Sequence, residues 1–436
     1  MNMELNPQSQ GLQGEFNLGV DRQKTSEELM REELVGKVHN VLLLYAERAI
    51  YPLYDKVRKG EGKQILSSTE EGRPDEELLD IDQTGENVLK SIIREAKLSA
   101  VLISENSPEP HTFENGDFEK VYIFADPFDN TSQYKRGLDT PPYTVVSIFD
   151  NKGNPMGAVV GDIKNRKAYM CLGKETFIID IKDRINEEEK YTKKKVTQLT
   201  SQKELLEKII ELQANSIKNT DNATKLQLIN ELINDQLDYK KSQNVLAELE
   251  EEFDEARKKK HKREKITRSE RTTLKDRNST LATFIGEKEY SLKFFKYFGK
   301  LVQDMHPKGL VYGGGGAYIY GFLASGSIDA YVMFDEPVSE IIPGLPLALA
   351  TGCTAVSVNE DGTYRDFKFD PNVLKENYKH YSEVSVPLFI AAATPEIRDE
   401  IIKYYLKAKN EIKEAEKLEN ELREFEATRK QESTHQ

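Results

Sequence analysis

The residues best suited to chemistry follow the apolar run at 121–125. Asp126 and Asp129 lie three positions apart there, and Pro127 holds the backbone between them extended. The two carboxylates and the carbonyl group of Phe128 can therefore converge on one point. Oxygen ligands of this kind suit Mg²⁺, which combines carboxylates with the phosphate oxygens of a substrate. An Asp-Pro-x-Asp sequence can equally be a capped β-turn without a metal. This window alone therefore leaves both interpretations open, the metal site and the structural turn.

Three polar residues, Asn130, Thr131 and Ser132, come directly after the second aspartate. If a helix begins there, its free N–H groups face an anion beside the metal, because the first turn of a helix leaves those donors unpaired. Phosphate is the expected anion.

Two further acids precede this window. Glu105 follows the apolar run at 100–103, and Asp82 precedes a predicted helix at 84–96. Taken singly, Glu105 is typical of an exposed loop acid and Asp82 of a helix N-cap. Their importance comes from their order along the chain, in which Asp82 and then Glu105 precede the window at 126–131.

Five separate blocks of the chain together resemble the superfamily of inositol monophosphatases and fructose-1,6-bisphosphatases, which are Mg²⁺-dependent and often lithium-sensitive. The blocks are Asp82 with Glu105, the stretch 126–131, Gly314–Ala317, Gly326–Tyr331, and the helix 339–352 that Glu340 opens. The resemblance covers roughly residues 26–182 and 272–405. It implies an α/β (α+β) fold, a layered αβαβα sandwich.

The resemblance also implies roles for particular residues. The ligands of two catalytic Mg²⁺ ions would be Glu105, Asp126, Asp129, Glu340 and the Phe128 carbonyl group. Asp82 would help to hold a third ion and, with Thr131, orient the attacking water, so that Asp82, Thr131 and Glu105 form the catalytic set. The amides of Asn130, Thr131 and Ser132 would hold the phosphate. Two cations about 4 Å apart would clamp the phosphoryl oxygens while an activated water attacks in line. Inhibition by Li⁺ is part of the same expectation.

The substrate is left open because the chain departs from the pattern of the inositol phosphatases. Met333 stands where those enzymes tend to carry an acid that binds ring hydroxyls, whereas Glu340 and Pro343 are closer to the fructose-bisphosphatase pattern. We expect a small phosphorylated polyol, sugar or nucleotide, with a fructose-1,6-bisphosphatase as the alternative. The alternative needs a basic cluster for a second phosphate, for which Lys135, Arg136 and Lys308 are candidates.

The glycine run at 313–316 lacks the Lys-Ser/Thr pair of a nucleotide-binding P-loop. One interpretation is that glycine permits close packing where a strand passes into a buried helix. In the other, Gly315 and Gly316, together with Met333, line the sugar side of the substrate pocket.

Residues 183–271 contain neither glycine nor proline and carry apolar residues at helical spacing. They are predicted to form an inserted helical hairpin, similar to a coiled coil, with a break at 218–222. It could cap the active site, mediate self-association, or dock a protein partner through its basic end at 258–265. A homodimer is the expectation, since dimers are common in the resembled family.

Five segments are predicted along the chain: a weakly ordered terminus at 1–24, an α+β half with the metal site at 25–182, the insertion at 183–271, an α/β half at 272–405 and a charged helical tail at 406–436. Further predicted elements are helices at 26–54, 341–352 and 395–436 and strands at 100–104, 121–126, 144–150, 157–163, 329–334 and 354–358.

The composition limits the classes of function. A formal net charge of −13 argues against binding of a nucleic-acid polymer, whose affinity depends on phosphate neutralisation. A membrane-spanning helix needs a run of about 18 apolar residues, and the sequence contains no such run. Cys171 and Cys353 have no metal-ligand spacing. The expectation is a soluble, cytoplasmic phosphatase, and its rival from another class is a scaffold protein that retains the fold and works through the insertion.

Overall fold

The computed structural model of the chain describes residues 25–68, 77–105, 107, 109–115, 118–138, 140–218, 231, 234–236, 238–245, 247–248, 262–286, 288–359, 361–370 and 384–434. The predicted terminus at 1–24 and residues 219–222 of the predicted helix break lie outside this part of the chain.

The helices and strands of the described residues alternate in layers. The helices are α1 Ser26–Lys59, α2 Asp80–Glu95, α3 Thr131–Lys135, α4 Lys182–Lys218, α5 Lys288–Asp304, α6 Ile319–Ala324, α7 Val338–Ile341, α8 Leu345–Ala350 and α9 Pro395–Thr434. The strands are β1 Ile65–Ser68, β2 Glu77–Leu79, β3 Ala100–Ser104, β4 His111–Phe113, β5 Val121–Asp129, β6 Tyr143–Phe149, β7 Pro155–Asp162, β8 Lys167–Leu172, β9 Glu175–Asp180, β10 Arg263–Lys265, β11 Thr280–Ala282, β12 Leu310–Tyr312, β13 Ala330–Pro337, β14 Thr354–Val358, β15 Tyr364–Asp366 and β16 Ser385–Ala392.

Helix α1 begins at a capping box in which Thr25 Oγ1 accepts the Glu28 N–H at 3.2 Å and the Glu28 carboxylate accepts the Thr25 N–H at 2.8 Å. It ends at Gly60, whose φ of 68° is left-handed. Its buried face packs, together with α2, against one face of the first sheet. These two helices form the first layer.

Within the described ranges, the first sheet has eight strands in the order β10-β9-β8-β7-β6-β5-β3-β4. Of these strands, β3 and β5 pair in parallel, and the other described neighbours pair antiparallel. Every residue of β6 is buried, because helices cover both faces of the sheet.

In the part of the chain that the structure describes, the second sheet has six strands in the order β12-β11-β13-β16-β14-β15. The short helices α6 and α8 lie between the two sheets and share a core with Tyr143, Val145 and Phe389. Helices α5 and α9 cover the outer face of the second sheet with Phe298 and Ile401. The order of layers is therefore helix, sheet, helix, sheet, helix, which confirms the predicted αβαβα sandwich.

Several predicted elements differ in extent. Helix α2 begins at Asp80, four residues before the predicted start at Thr84, because the Asp82 carboxylate accepts the Leu79 N–H at 2.6 Å and so caps an earlier turn. The single helix predicted at 341–352 is two short helices, α7 and α8, separated where Pro343 and Gly344 interrupt the helical hydrogen bonds. Helix α9 is continuous through the predicted boundary at 405–406.

The chain leaves the first sheet after β9, and β10 returns beside it in antiparallel pairing. Between them, α4 runs alongside the helical residues 238–245: Gln198 Nε2 donates to the Ser242 carbonyl oxygen at 3.0 Å, and Lys208 Nζ lies 3.0 Å from Asp235 Oδ1. The range 183–271 thus includes a strand of the sheet, and its boundaries as a domain stay a prediction. None of the helices in the described part of the chain has the length and apolar character needed to cross a membrane.

Candidate metal centre

Asp126 and Asp129 lie at the two ends of a bulge in β5. Asp126 pairs with Val145 of β6 and Asp129 pairs with Tyr143, with a shift of register between them. Pro127 lies in the bulge, where a residue without an N–H group does not interrupt the ladder. The strand therefore continues through Asp129, beyond its predicted end at Asp126, and both carboxylates leave the sheet at the same place.

Asp126 and Asp129 meet Glu340, which comes from the other half of the chain. One carboxylate oxygen of each of the three lies within 4.8 Å of the others. Asp126 is 3% exposed and Asp129 is 7% exposed. Glu340 is half-buried. These three convergent carboxylates, called the acid cluster below, could hold a hard cation.

Helix α7 carries Glu340 and is fixed to the first sheet. Pro337, in extended conformation, precedes the helix. Just after it, the carbonyl oxygen of Ile342 accepts a hydrogen bond from Ser147 Oγ of β6 at 2.9 Å. This buried bond joins the two halves of the molecule beside the acid cluster.

Glu105 is positioned by the parallel strand pair of the first sheet. Ser104 is in register with Ala125, and the Glu105 N–H donates to the Ala125 carbonyl oxygen at 3.1 Å. Glu105 is therefore next to Asp126, at the carboxyl ends of β3 and of the first part of β5.

Asp82 and Thr131 lie together, as the resemblance implied. Thr131 Oγ1 is 2.9 Å from Asp82 Oδ1 and 2.6 Å from the carbonyl oxygen of Phe128. The hydroxyl group has a single proton, so it donates to one of these oxygens at a time. The Phe128 carbonyl oxygen keeps a second lone pair, which is what a metal ligand needs.

Two glycines allow the backbone to approach these acids. A Cβ atom on Gly85 of α2 would lie 2.7 Å from the Pro127 carbonyl oxygen. A Cβ atom on Gly316 would lie 2.8 Å from Asp129 Oδ1, and Gly316 has φ +121°. Two residues on, the Tyr318 N–H donates to Asp129 Oδ2 at 2.9 Å. The glycine run thus contacts the acid cluster directly, so close packing and proximity to the site both apply.

The acids around Asp126 raise its pKa. The pKa of Asp126 lies well above its usual value, first because burial disfavours the charged form and then because Glu105, Asp129, Glu340 and Asp82 are all negative. Such a group of like charges is stabilised by a cation.

Burial raises the pKa of Asp129 to about 7. The N–H groups of Tyr318 and Asn130 donate to its carboxylate and partly oppose this rise, while the charge of Glu105 adds to it. The Asn130 N–H is thus engaged by Asp129, and the phosphate contacts predicted for Asn130, Thr131 and Ser132 stay a prediction.

Asn130 adopts a left-handed conformation, with φ 73°, and precedes α3. Its side chain donates to the Pro141 carbonyl oxygen at 3.2 Å, which ties the start of the helix to the loop before β6. Ser132 Oγ lies 3.1 Å from Gln133 Oε1 at the surface. The first turn of α3 therefore follows the acid cluster directly, as the sequence predicted.

The two other residues predicted for the substrate pocket are Gly315 and Met333. A Cβ atom on Gly315 would lie 2.8 Å from the Tyr331 hydroxyl oxygen. Met333 is 4% exposed and packs in the core between the sheets. Their contact with a substrate stays a prediction.

Sequence reasoning missed Tyr318, Gly85 and Ser147 as supports of the site. Each acts across a long stretch of chain through the backbone or a short side chain. The sequence shows Gly85 near the start of a predicted helix, but it does not show that this glycine would lie against Pro127.

Comparisons with known proteins find similar folds among solved structures. A SuhB extragenic suppressor protein from Bartonella henselae is 12% identical over 84% of this chain and 98% of its own, with a TM-score of 0.48. Thermotoga maritima IMPase is 13% identical over 85% and 98%, with a TM-score of 0.48. An inositol monophosphatase from Zymomonas mobilis is 13% identical over 88% and 99%, with a TM-score of 0.43.

The similarity between these structures and the chain concerns the fold. No family model matches the chain, and no curated protein matches it.

Proposed function

We propose that this chain is a Mg²⁺-dependent phosphomonoesterase that hydrolyses a small phosphorylated polyol, sugar or nucleotide. One observation carries the proposal: Asp126, Asp129 and Glu340, from both halves of the chain, bring carboxylate oxygens within 4.8 Å of one another, with the two aspartates buried and the glutamate half-buried. Burying like charges together is costly unless a cation compensates them.

The donor set fits Mg²⁺. It consists of oxygens only, which is the preference of a hard cation, and it contains no thiolate or imidazole. Glu105 and the Phe128 carbonyl group would complete two sites, and Asp82 would contribute to a third. Competition by Li⁺ belongs to the same proposal.

When bound, Mg²⁺ supplies positive charge to the phosphoryl oxygens and lowers the pKa of water. The chain's own residues supply orientation and a proton acceptor. Asp82 is 1% exposed and pairs with Thr131 Oγ1, so a water that donates to the threonine oxygen can pass its proton towards the aspartate. The amides of Thr131 and Ser132 at the start of α3 would hold the phosphate oxygens.

The test is phosphate release by the purified chain, with and without Mg²⁺. The substrates are inositol phosphates, fructose 1,6-bisphosphate, sugar phosphates and 3′-phosphoadenosine nucleotides. Asp129→Asn should reduce the rate on the order of a hundredfold or more, whereas Asp276→Asn, the same change at an exposed acid, should leave it unchanged. Absence of turnover on every substrate by a folded, Mg²⁺-binding protein would instead favour the scaffold hypothesis.

The fructose-1,6-bisphosphatase alternative depends on basic residues near the site. Lys135 and Arg136 lie at the end of α3, a few residues from Asp129, whereas Lys308 precedes β12, whose other end leads to Gly316. The first two could therefore reach a second phosphate. Preferential turnover of fructose 1,6-bisphosphate that falls on replacing them would support this alternative.

The homodimer and a protein partner at the insertion also remain proposals. Their support is apolar surface on α4, where Val196 and Ile210 are each 57% exposed.

A further inference from the structure

A cavity lies beside the turn between β6 and β7, at the end of β6 farther from Asp129. Its volume is about 310 Å³. Phe149, in its wall, pairs with Tyr122 near the start of β5, whereas Tyr143 at the other end of β6 pairs with Asp129. At roughly 3.3 Å per residue, the two ends of β6 are about 20 Å apart. The cavity wall contains none of Asp126, Asp129 and Glu340, so the cavity is distinct from the proposed metal centre.

The interior of this cavity is apolar and partly aromatic. Its walls include Phe149, Leu345, Leu349, Phe367 and Phe369. The rings of Phe149 and Phe369 have centroids 4.8 Å apart and are tilted by 54°. An apolar cavity of roughly 150 Å³ accommodates benzene, so this one has room for a body of about two rings.

The rim of the cavity is basic, although the chain as a whole is acidic. Lys152, in the turn between β6 and β7, and Lys368 are both exposed and both line the cavity. The nearby Asp150 carboxylate accepts the backbone N–H groups of Lys152 and Asn154, at 2.9 and 2.8 Å, and so stabilises the turn.

We propose that this cavity binds a small organic anion with a flat apolar body. The body would lie among the phenylalanine rings, and the acidic group would pair with Lys152 and Lys368. Aromatic walls favour a planar body, and two ammonium groups at the rim favour a negative charge on the part that faces solvent. The site does not depend on the proposed phosphatase activity.

The cavity wall also includes Ile342, two residues after Glu340. A bound ligand would therefore contact the segment that carries one of the metal acids without touching the acid itself.

The experiment uses the full chain and the fluorescent probe 8-anilinonaphthalene-1-sulfonate, an aromatic sulfonate. One saturable site per chain is expected. The uncharged probe N-phenyl-1-naphthylamine should bind about tenfold more weakly, since it lacks the group that pairs with the lysines.

Three variants test the location. Lys152→Ala combined with Lys368→Ala should weaken binding of the sulfonate about tenfold or more, and Lys296→Ala on the outer helix α5 should not change it. Leu349→Trp, at a wall residue that is 36% exposed, should fill the cavity and abolish binding while the thermal unfolding temperature stays near that of the wild type.

Equal binding of the charged and uncharged probes would overturn the proposal. So would sulfonate binding that neither the double lysine variant nor Leu349→Trp reduces, or displacement of the probe by inorganic phosphate with Mg²⁺, which would place it at the acid cluster.

Discussion

The Asp129→Asn substitution should stabilise the metal-free protein at neutral pH and at the same time remove its response to Mg²⁺. Asp129 is 7% exposed, and its charged form is disfavoured by burial and by the neighbouring Glu105. Asparagine has nearly the same shape and still offers an oxygen to the Tyr318 N–H, but it carries no charge. The substitution therefore isolates the electrostatic part of the interaction.

The magnitude follows from the pKa. In the unfolded chain the carboxyl group of Asp129 titrates near 3.8, and in the metal-free fold it titrates at about 7. Because the folded value is the higher one, the favourable contribution exists below pH 3.8 and is lost as the pH rises to about 7. One pKa unit corresponds to about 1.4 kcal/mol, so the wild type loses up to about 4 kcal/mol of unfolding free energy over this range.

The assay is urea unfolding in EDTA at pH 5, 6, 7 and 8, repeated with saturating Mg²⁺. Between pH 5 and 7 the unfolding free energy of the wild type should fall more steeply than that of Asp129→Asn, and Asp276→Asn should follow the wild type. Mg²⁺ at a hundred times its dissociation constant should add about 2.7 kcal/mol to the wild type and little to the variant. Identical pH profiles for wild type and variant, or equal stabilisation by Mg²⁺, would refute the reasoning.

Further substitutions at three positions test the site and the core beneath it. Thr131→Val removes the hydroxyl group that pairs with Asp82 and should lower kcat about ten- to a hundredfold with little change in KM, while Thr131→Ser should retain most of the activity. Gly316→Ala places a Cβ atom against the carboxylate and strains a φ of +121°, so urea unfolding should show a loss of about 1–3 kcal/mol and Mg²⁺ titration a weaker affinity. In the wild type, the buried hydroxyl groups of Tyr45 and Thr144 are 2.6 Å apart. Tyr45→Phe leaves the threonine hydroxyl without this partner, so it should cost about 1–3 kcal/mol of unfolding free energy while kcat stays within about twofold.

Much of the fold was predictable because it depends on local patterns. The capped amphipathic helix from Ser26 and the strand pair around the turn at 151–154 follow from periodicity and turn residues. The acids of the window at Asp126 were identifiable from their spacing, and the resemblance placed Glu340 with them. The structure brings these residues together.

The remaining features depend on packing between distant segments. The bulge that carries Asp126 and Asp129 results from the register of β5 against β6, which the sequence does not encode locally. Gly316 approaches Asp129 only because the second sheet packs over the first. Likewise, the cavity between the β6–β7 turn and Leu345 exists only in the assembled molecule.

The central claim is that acids from both halves of the chain hold the cations that drive phosphate-ester hydrolysis. The most direct measurement is the rate of phosphate release as a function of Mg²⁺ concentration for the wild type, Glu340→Gln and Glu119→Gln, an identical change at an exposed glutamate near the start of β5. The wild type and Glu119→Gln should require Mg²⁺ and have equal rates, while Glu340→Gln should lose on the order of a hundredfold or more. Hydrolysis that persists in EDTA, or a Glu340→Gln variant as active as the wild type, would contradict the claim.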